Sequence, residues 1–296
     1  MMKIITALFV FFMATRAMAA DWQVLVEPQD LDAMASDVTI LDIRPPKEFA
    51  KGHIGGALNA PYGTWRGPKD NPGKVLSDDQ LTERLQSLGL TRETPVVVTY
   101  PGKDATQFGA AARVYWTLKS AGLNRIAILN GGQAAWTSAG LPLSTDAVPV
   151  ARSAETFSLS GEWTISEQGV LDVVQGTADA QIIDARPAEF LQGNKKHKLA
   201  SAAGTLNGAA NLVHSTWFEG KGKNHVVSAE DVLRLAKEAG VENGQSRPVA
   251  SFCNTGHWAA TNWFALSELA GIDNVKLYPE SMVGWTTAGQ ETVVQK

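Results

Sequence analysis

Residues 52–65, GHIGGALNAPYGTW, return at 204–217 as GTLNGAANLVHSTW, position by position at an offset of 152. ILDIRPPKEFAKG (40–52) resembles IIDARPAEFLQG (182–193), which pairs Asp42 and Arg44 with Asp184 and Arg186. VVVTY (96–100) pairs with PVASF (248–252) at 152, and NGGQAAWTSAG (130–140) with PESMVGWTTAG (279–289) at 149. A period this long excludes a solenoid. It marks a duplicated domain of roughly 120 residues, a common domain size. The chain must therefore build two like units, and chemistry present in one can be checked against the other.

Each unit has the same order of elements. A short apolar strand ends at Asp-x-Arg-Pro, and a Gly/Asn-rich loop follows. Ser77, three before Gln80, and Ser228, three before Asp231, read as N-caps of amphipathic helices stopped by Gly89 and Gly240. A buried strand, a second helix and another strand complete the unit. Strands alternating with helices predict α/β units with a mainly parallel sheet flanked by helices. The segment 143–160 has Pro149, small polar residues and little periodicity, and reads as a linker. The chain then divides into 21–145, a linker at 146–160, and 161–296.

Residues 1–20 are set apart. Lys3 precedes an apolar run from Ile4 to Met13, and Ala17-Met18-Ala19 reads as a small-x-small cleavage site. This is the pattern of a cleaved secretory signal peptide, too short for a span, and it predicts a periplasmic or secreted protein with no membrane partner after cleavage. Loss of Lys3 and Arg16 takes the formal charge from −4 to −6, since 24 basic residues remain against 30 acidic ones. Mild acidity is a poor match to nucleic acid, whose backbone needs a clustered positive surface. NKKHK (194–198) is the only basic run and reads as a solvated loop.

Cys253 is the only cysteine in 296 residues. It rules out an intramolecular disulfide. A free thiol in an exported chain is either buried and inert or kept for its reactivity. One cysteine and five scattered histidines do not supply a zinc site, and no metal or organic cofactor is implied.

Asp-x-Arg-Pro, then GHIGGALNAP, then strand–loop–helix, then NGGQAAW resembles the rhodanese homology domain over about residues 24–292. A tandem pair with one cysteine, in the second copy, is similar to two-domain sulfurtransferases of the thiosulfate and 3-mercaptopyruvate type. The resemblance implies two tandem rhodanese-like domains, the first structural and the second catalytic. It also implies a double displacement. A small anionic donor gives a sulfane sulfur to Cys253, and a thiophilic acceptor, cyanide or a thiol, removes it from the persulfide. A protein is an alternative acceptor. Arg186, in the family's Asp-x-Arg, is expected to bind the donor or hold the loop, supported by Asp184.

The link CNTGHW gives this reading a physical basis. The tight turn before a helix at Trp258 lets the amides of Asn254, Thr255, Gly256, His257 and Trp258 converge as an anion nest around the sulfur. Such a nest favours thiolate and then persulfide. His257 reads as an outward residue supplying only its N–H, and as the one cation the loop could offer, mostly neutral at pH 7. Trp258 and Trp263 read as core or pocket wall, and His214 and Trp217 as lining the entrance. The first half has Pro101 where the second has Cys253, and its loop PGKDATQ reads as about three residues longer.

Three rivals are weaker. A phosphatase of the related dual-specificity kind needs Cys-x5-Arg, and the sixth position after Cys253 is Ala259. A papain-like hydrolase needs a placed His base, which His257 is too close in sequence to provide. A non-enzymatic sulfur carrier or partner-binding module keeps the same thiol without turnover.

Overall fold

The computed structural model describes residues 22–220, 222, 224–241 and 247–295. The leader read at 1–20 lies outside the described residues. Each half forms its own sheet. The first has the strand order Leu25–Val26, Ile126–Leu129, Val96–Thr99, Thr39–Asp42, Leu58–Asn59. The second runs Val275–Leu277, Val249–Phe252, Gln181–Asp184, Ala210–Asn211. Every pairing in both sheets is parallel. Val96–Thr99 and Ile126–Leu129 are buried at every position, as parallel strands covered on both faces must be. The second sheet keeps only a parallel bridge, Thr164 to Leu277, where the first has a fifth strand.

The capped helices form where their start and stop residues stand. Ser77 accepts from the Gln80 amide and Gln80 Oε1 accepts from the Ser77 amide, closing a capping box on helix Asp78–Ser87. Ser228 caps helix Ala229–Glu238 through the Asp231 amide. Gly89 and Gly240 follow with φ of +68° and +72°, the left-handed stop that glycine adopts without steric cost.

Sheet register corrects one expectation. Asp42 lies opposite Thr99, and Asp184 lies opposite Phe252. Thr99 therefore answers to Phe252, and Tyr100, not Pro101, stands in the place of Cys253. The Gln133 amide donates to Tyr100 O as the Met282 amide does to Cys253 O. The loops Tyr100–Asp104 and Cys253–His257 are equally long, so the first half's is not the longer. The extra residues went into the helix. Ala105–Ser120 has 16 residues, whereas the second half winds six α-helical residues, Trp258–Trp263, and then a six-residue π-helix, Phe264–Leu269.

These two helices form the seam. Helix Ala105–Ser120 buries 13 of its 16 residues, because it packs on its own sheet and on the opposite helix at once. Phe108 and Tyr115 meet Phe264 edge to face at 5.5 and 5.0 Å, and Phe108 also meets Phe218 at 5.2 Å. Each such pair adds about 1 kcal/mol beyond its area burial. Residues 145–160 lack regular structure but are held to the first half. Phe157 is buried, Ser153 Oγ donates to Leu90 O at 2.7 Å, and the Arg92 amide donates to Glu155 Oε2 at 3.0 Å.

Candidate active site

Cys253 follows the buried strand Val249–Phe252 at the C-terminal edge of the second sheet. The turn to Trp258 is closed by Gly256, whose φ is +68°. A Cβ there would lie 2.3 Å from Arg113 Nη1 and 2.4 Å from Pro279 O, so the position excludes any side chain. The thiol is 1% exposed and touches the core shared by the two halves.

One residue that braces the turn was not foreseen. Ser281 Oγ accepts from the amides of Cys253 and Gly256, both at 3.1 Å, and donates to Tyr278 O at 2.8 Å. Its φ is +52°, a region that is strained for a residue with a side chain. At the offset of 149 it matches Gly132, with φ of +57°. A serine replacing glycine at a left-handed position was the signal available in the repeat. The Gly256 amide is thereby spent on Ser281, which removes it from the expected ring of donors. Among the described residues no protein acceptor takes the amides of Asn254, Thr255, His257 and Trp258. Four backbone donors remain for an anion.

Asp184 and Arg186 lie under the turn, fully buried. Arg186 donates to both carboxylate oxygens of Asp184, at 2.7 Å from Nη2, and to Gly204 O at 2.8 Å. Nη1 reaches Asn254 Oδ1 at 3.4 Å. Thr205 Oγ1 adds a 2.7 Å bond to Asp184. Arg44 makes the same clamp in the first half, at 2.6 Å to Asp42 and 2.8 Å to Gly52 O. The shared geometry is that of a strand-end brace, to which the second half adds a reach to Asn254.

The first half also reaches the turn. Arg66 Nη2 donates to Thr255 O at 2.7 Å, and Arg113 Nη1 to Gly256 O at 3.4 Å. His257 is therefore not an outward residue. Its Nε2 lies 2.6 Å from Thr106 O, which can only accept, so Nε2 carries the proton. Nδ1 then accepts from Tyr62 OH at 3.0 Å, and Tyr62 OH accepts from Arg66 Nη1. Burial first, and then the Arg66 guanidinium, push the His257 pKa down to about 3. His257 is neutral at pH 7, and besides Arg186, which is paired with Asp184, the cations at the turn are Arg66 and Arg113. The sequence concealed this, because both arginines come from the half without the cysteine.

The flanking aromatic residues differ from expectation too. Trp217 is fully buried and donates to Asn262 Oδ1 at 2.8 Å, so it is core, not entrance. His214 is buried and stacks on the half-buried Trp258 at 4.5 Å. Ala105 stands in the first half where Trp258 stands in the second, and a cavity of about 530 Å³ lies beside Pro45, Pro61, Tyr62, Thr106 and His257.

Two parallel α/β units, one carrying a lone thiol in a turn of unspent amides, define a tandem protein with one nucleophile-bearing copy. The Rhodanese-like domain model matches residues 27–139 and 170–288, and the chain belongs to that family. It is 29% identical over 270 residues to a thiosulfate sulfurtransferase of Azotobacter vinelandii, covering 90% of this chain and 95% of that one. It is 28% identical to the thiosulfate sulfurtransferase of Gallus gallus, covering 81% and 80%. The 3-mercaptopyruvate enzyme SseA of Escherichia coli shares the fold with a TM-score of 0.75, at 24% identity over 88% of this chain and 98% of that one. So does EanB, solved with ergothioneine linked to a persulfide cysteine, with a TM-score of 0.80 at 19% identity over 92% and 71%.

Proposed function

We propose that the chain is a rhodanese-type sulfurtransferase that carries a sulfane sulfur on Cys253. The supporting observation is the chain's one thiol in a five-residue turn where four amides have no protein acceptor among the described residues. The relatives named as thiosulfate sulfurtransferases point the same way. In the first half-reaction the Cys253 thiolate attacks the outer sulfur of thiosulfate. The sulfur–sulfur bond of the donor breaks, a bond to Sγ forms, and sulfite leaves with the electron pair. In the second, cyanide or a thiolate takes the outer sulfur and restores the thiolate. Asn254, Thr255, His257 and Trp258 hold the persulfide anion through their amides. Arg186 acts by holding Asn254 in place, and Asp184 by holding Arg186. Arg66 and Arg113 supply the positive field that an anionic donor needs, which favours thiosulfate more than the loop sequence alone suggests.

The test is intact mass after incubation with thiosulfate or 3-mercaptopyruvate. A gain of one sulfur on the wild type, absent in Cys253→Ser, names donor and site together. No gain with either donor sinks the reading, and a gain without turnover in cyanide or thiol makes the protein a carrier. We further propose export through residues 1–20. Terminal sequencing of the mature protein from a cell-envelope fraction is expected to start at Ala20 or Asp21, and a cytoplasmic chain starting at Met1 would refute it.

A further inference from the structure

Three arginines are deeply buried near the strand ends, and two of them hold an aspartate. Arg44 clamps Asp42 and Arg186 clamps Asp184. Arg113, in the middle of helix Ala105–Ser120, is 1% exposed and takes part in no ion pair among the described residues. Its Nη2 donates to Gly73 O at 2.9 Å and its Nη1 to Gly256 O at 3.4 Å. Its buried Nε has no partner among the described residues. The guanidinium lies 4.8 Å from the Trp116 ring centre.

A buried charge persists only where other charges or dipoles offset its desolvation. Two carbonyls and one ring do part of this. The ionisable groups facing Arg113 are Arg66, which opposes its charge, His257, which is neutral at pH 7, and Tyr62, Cys253 and Glu280, whose ionised forms favour it. Glu280 is engaged by Asn71 Nδ2. Burial, then Arg66, push the Arg113 pKa down to about 9, so the group is still a cation at neutral pH. The anion that would complete it is one the chemistry makes. Cys253 bears a single negative charge as thiolate and again as persulfide, so a fixed cation suits both forms.

We propose that Arg113, from the half without the cysteine, is the permanent countercharge of the anion on Cys253 and holds the turn around it through Gly256 O. Arg113 is a positioning residue, since it touches the turn and not the substrate. This rests on the reading of Cys253 as an anionic sulfur carrier. It also gives the cysteine-free half a chemical reason to be retained, because Arg186, the cation that the second half brings to the turn, is already neutralised by Asp184 and His257 is neutral.

The experiment compares the ultraviolet thiolate absorbance against pH for the wild type, Arg113→Lys and Arg113→Met, each corrected by the same protein with Cys253→Ser. Thermal melting reports folding. The thiolate step is expected to move up by about one pH unit in Arg113→Met and to stay near the wild-type position in Arg113→Lys. Thiosulfate loading at pH 7 should fall about tenfold in the Met variant and recover with Lys. An unchanged step in Arg113→Met overturns the inference. If that variant does not fold, a folded Arg113→Lys with its step displaced by a full unit overturns it, as does a wild type that carries no thiolate at pH 7. A wild type with the thiolate but no sulfur gain refutes the sulfur-transfer reading alone, because the thiolate comparison does not depend on loading.

Discussion

The turns Tyr100–Asp104 and Cys253–His257 have the same length, the same place on the same kind of sheet and the same Asp-x-Arg clamp beneath them. Position by position they share no residue, and the left-handed glycine is third in the first turn, Gly102, and fourth in the second, Gly256. Tyr100 stands for Cys253, Gly132 for Ser281, and Ala105 for Trp258. The first half keeps the helix regular from its start at Ala105, with Asp104 capping it through the Gln107 amide at 2.9 Å. The second half has no side-chain cap at His257, and Asn254 adds an open amide where Pro101 has no N–H. The amides of Gly102, Asp104 and Ala105 are, among the described residues, as open as those of Thr255, His257 and Trp258. Spending amides on a cap stabilises a helix by about 1 kcal/mol. Under the proposed function, the open amides of the second turn serve an anion because a thiol stands beside them, and those of the first turn face a tyrosine instead.

The comparison can be broken most severely at the thiol. Cys253→Ser should abolish sulfur loading, and adding Tyr100→Cys to it should not restore any, because the first turn lacks the serine brace and has capped its helix. A sulfur gain on the double variant, read by intact mass, would show that the turns are interchangeable. The clamps come next. Arg44→Ala and Arg186→Ala each leave a buried aspartate unpaired, and each should cost about 3–5 kcal/mol of stability in denaturant titration. Loss confined to Arg186→Ala would show that the clamp is not shared. Ser281→Gly makes the second half resemble the first. Two amide bonds of about 1 kcal/mol each are lost, and left-handed strain of about 1 kcal/mol or more is relieved. Loading should slow about tenfold or more, by stopped reaction and mass, while the melting temperature moves little.

The smallest effect is on pH dependence. His257 titrates near 3 in the folded chain and near 6.5 in the unfolded one. A depressed histidine pKa means that the unfolded state takes up the proton first. Its contribution to stability is therefore complete above about pH 6.5 and is lost as pH falls from there toward 3. At pH 5.5 the loss is about 1 kcal/mol, given partial exposure. Melting at pH 7.5 and 5.5 should show a shallower fall for His257→Asn than for the wild type, and equal slopes would refute the neutral, clamped His257.

The duplication, the alternating elements, both capped helices and the place of the single thiol were all legible, because each is local or repeats in the chain. Tyr100 as the counterpart of Cys253 was not. VVVTY and PVASF align by composition one residue out of step, and only opposition of Asp42 to Thr99 and Asp184 to Phe252 sets the register. Ser281 was visible as a serine at a glycine position but meant nothing until its hydroxyl was seen between two amides.

The sequence by itself determined that two like α/β units would form and that one sulfur atom would stand at a strand end. These follow from short-range pattern, since hydrophobic period, caps and glycine stops act within a few residues. Which cations face that sulfur was decided by tertiary structure alone. Arg66 and Arg113 lie well over a hundred residues before Cys253, and only the packing of the two central helices brings their charge to the turn. Electrostatics acts through space, and distance along the chain does not encode it.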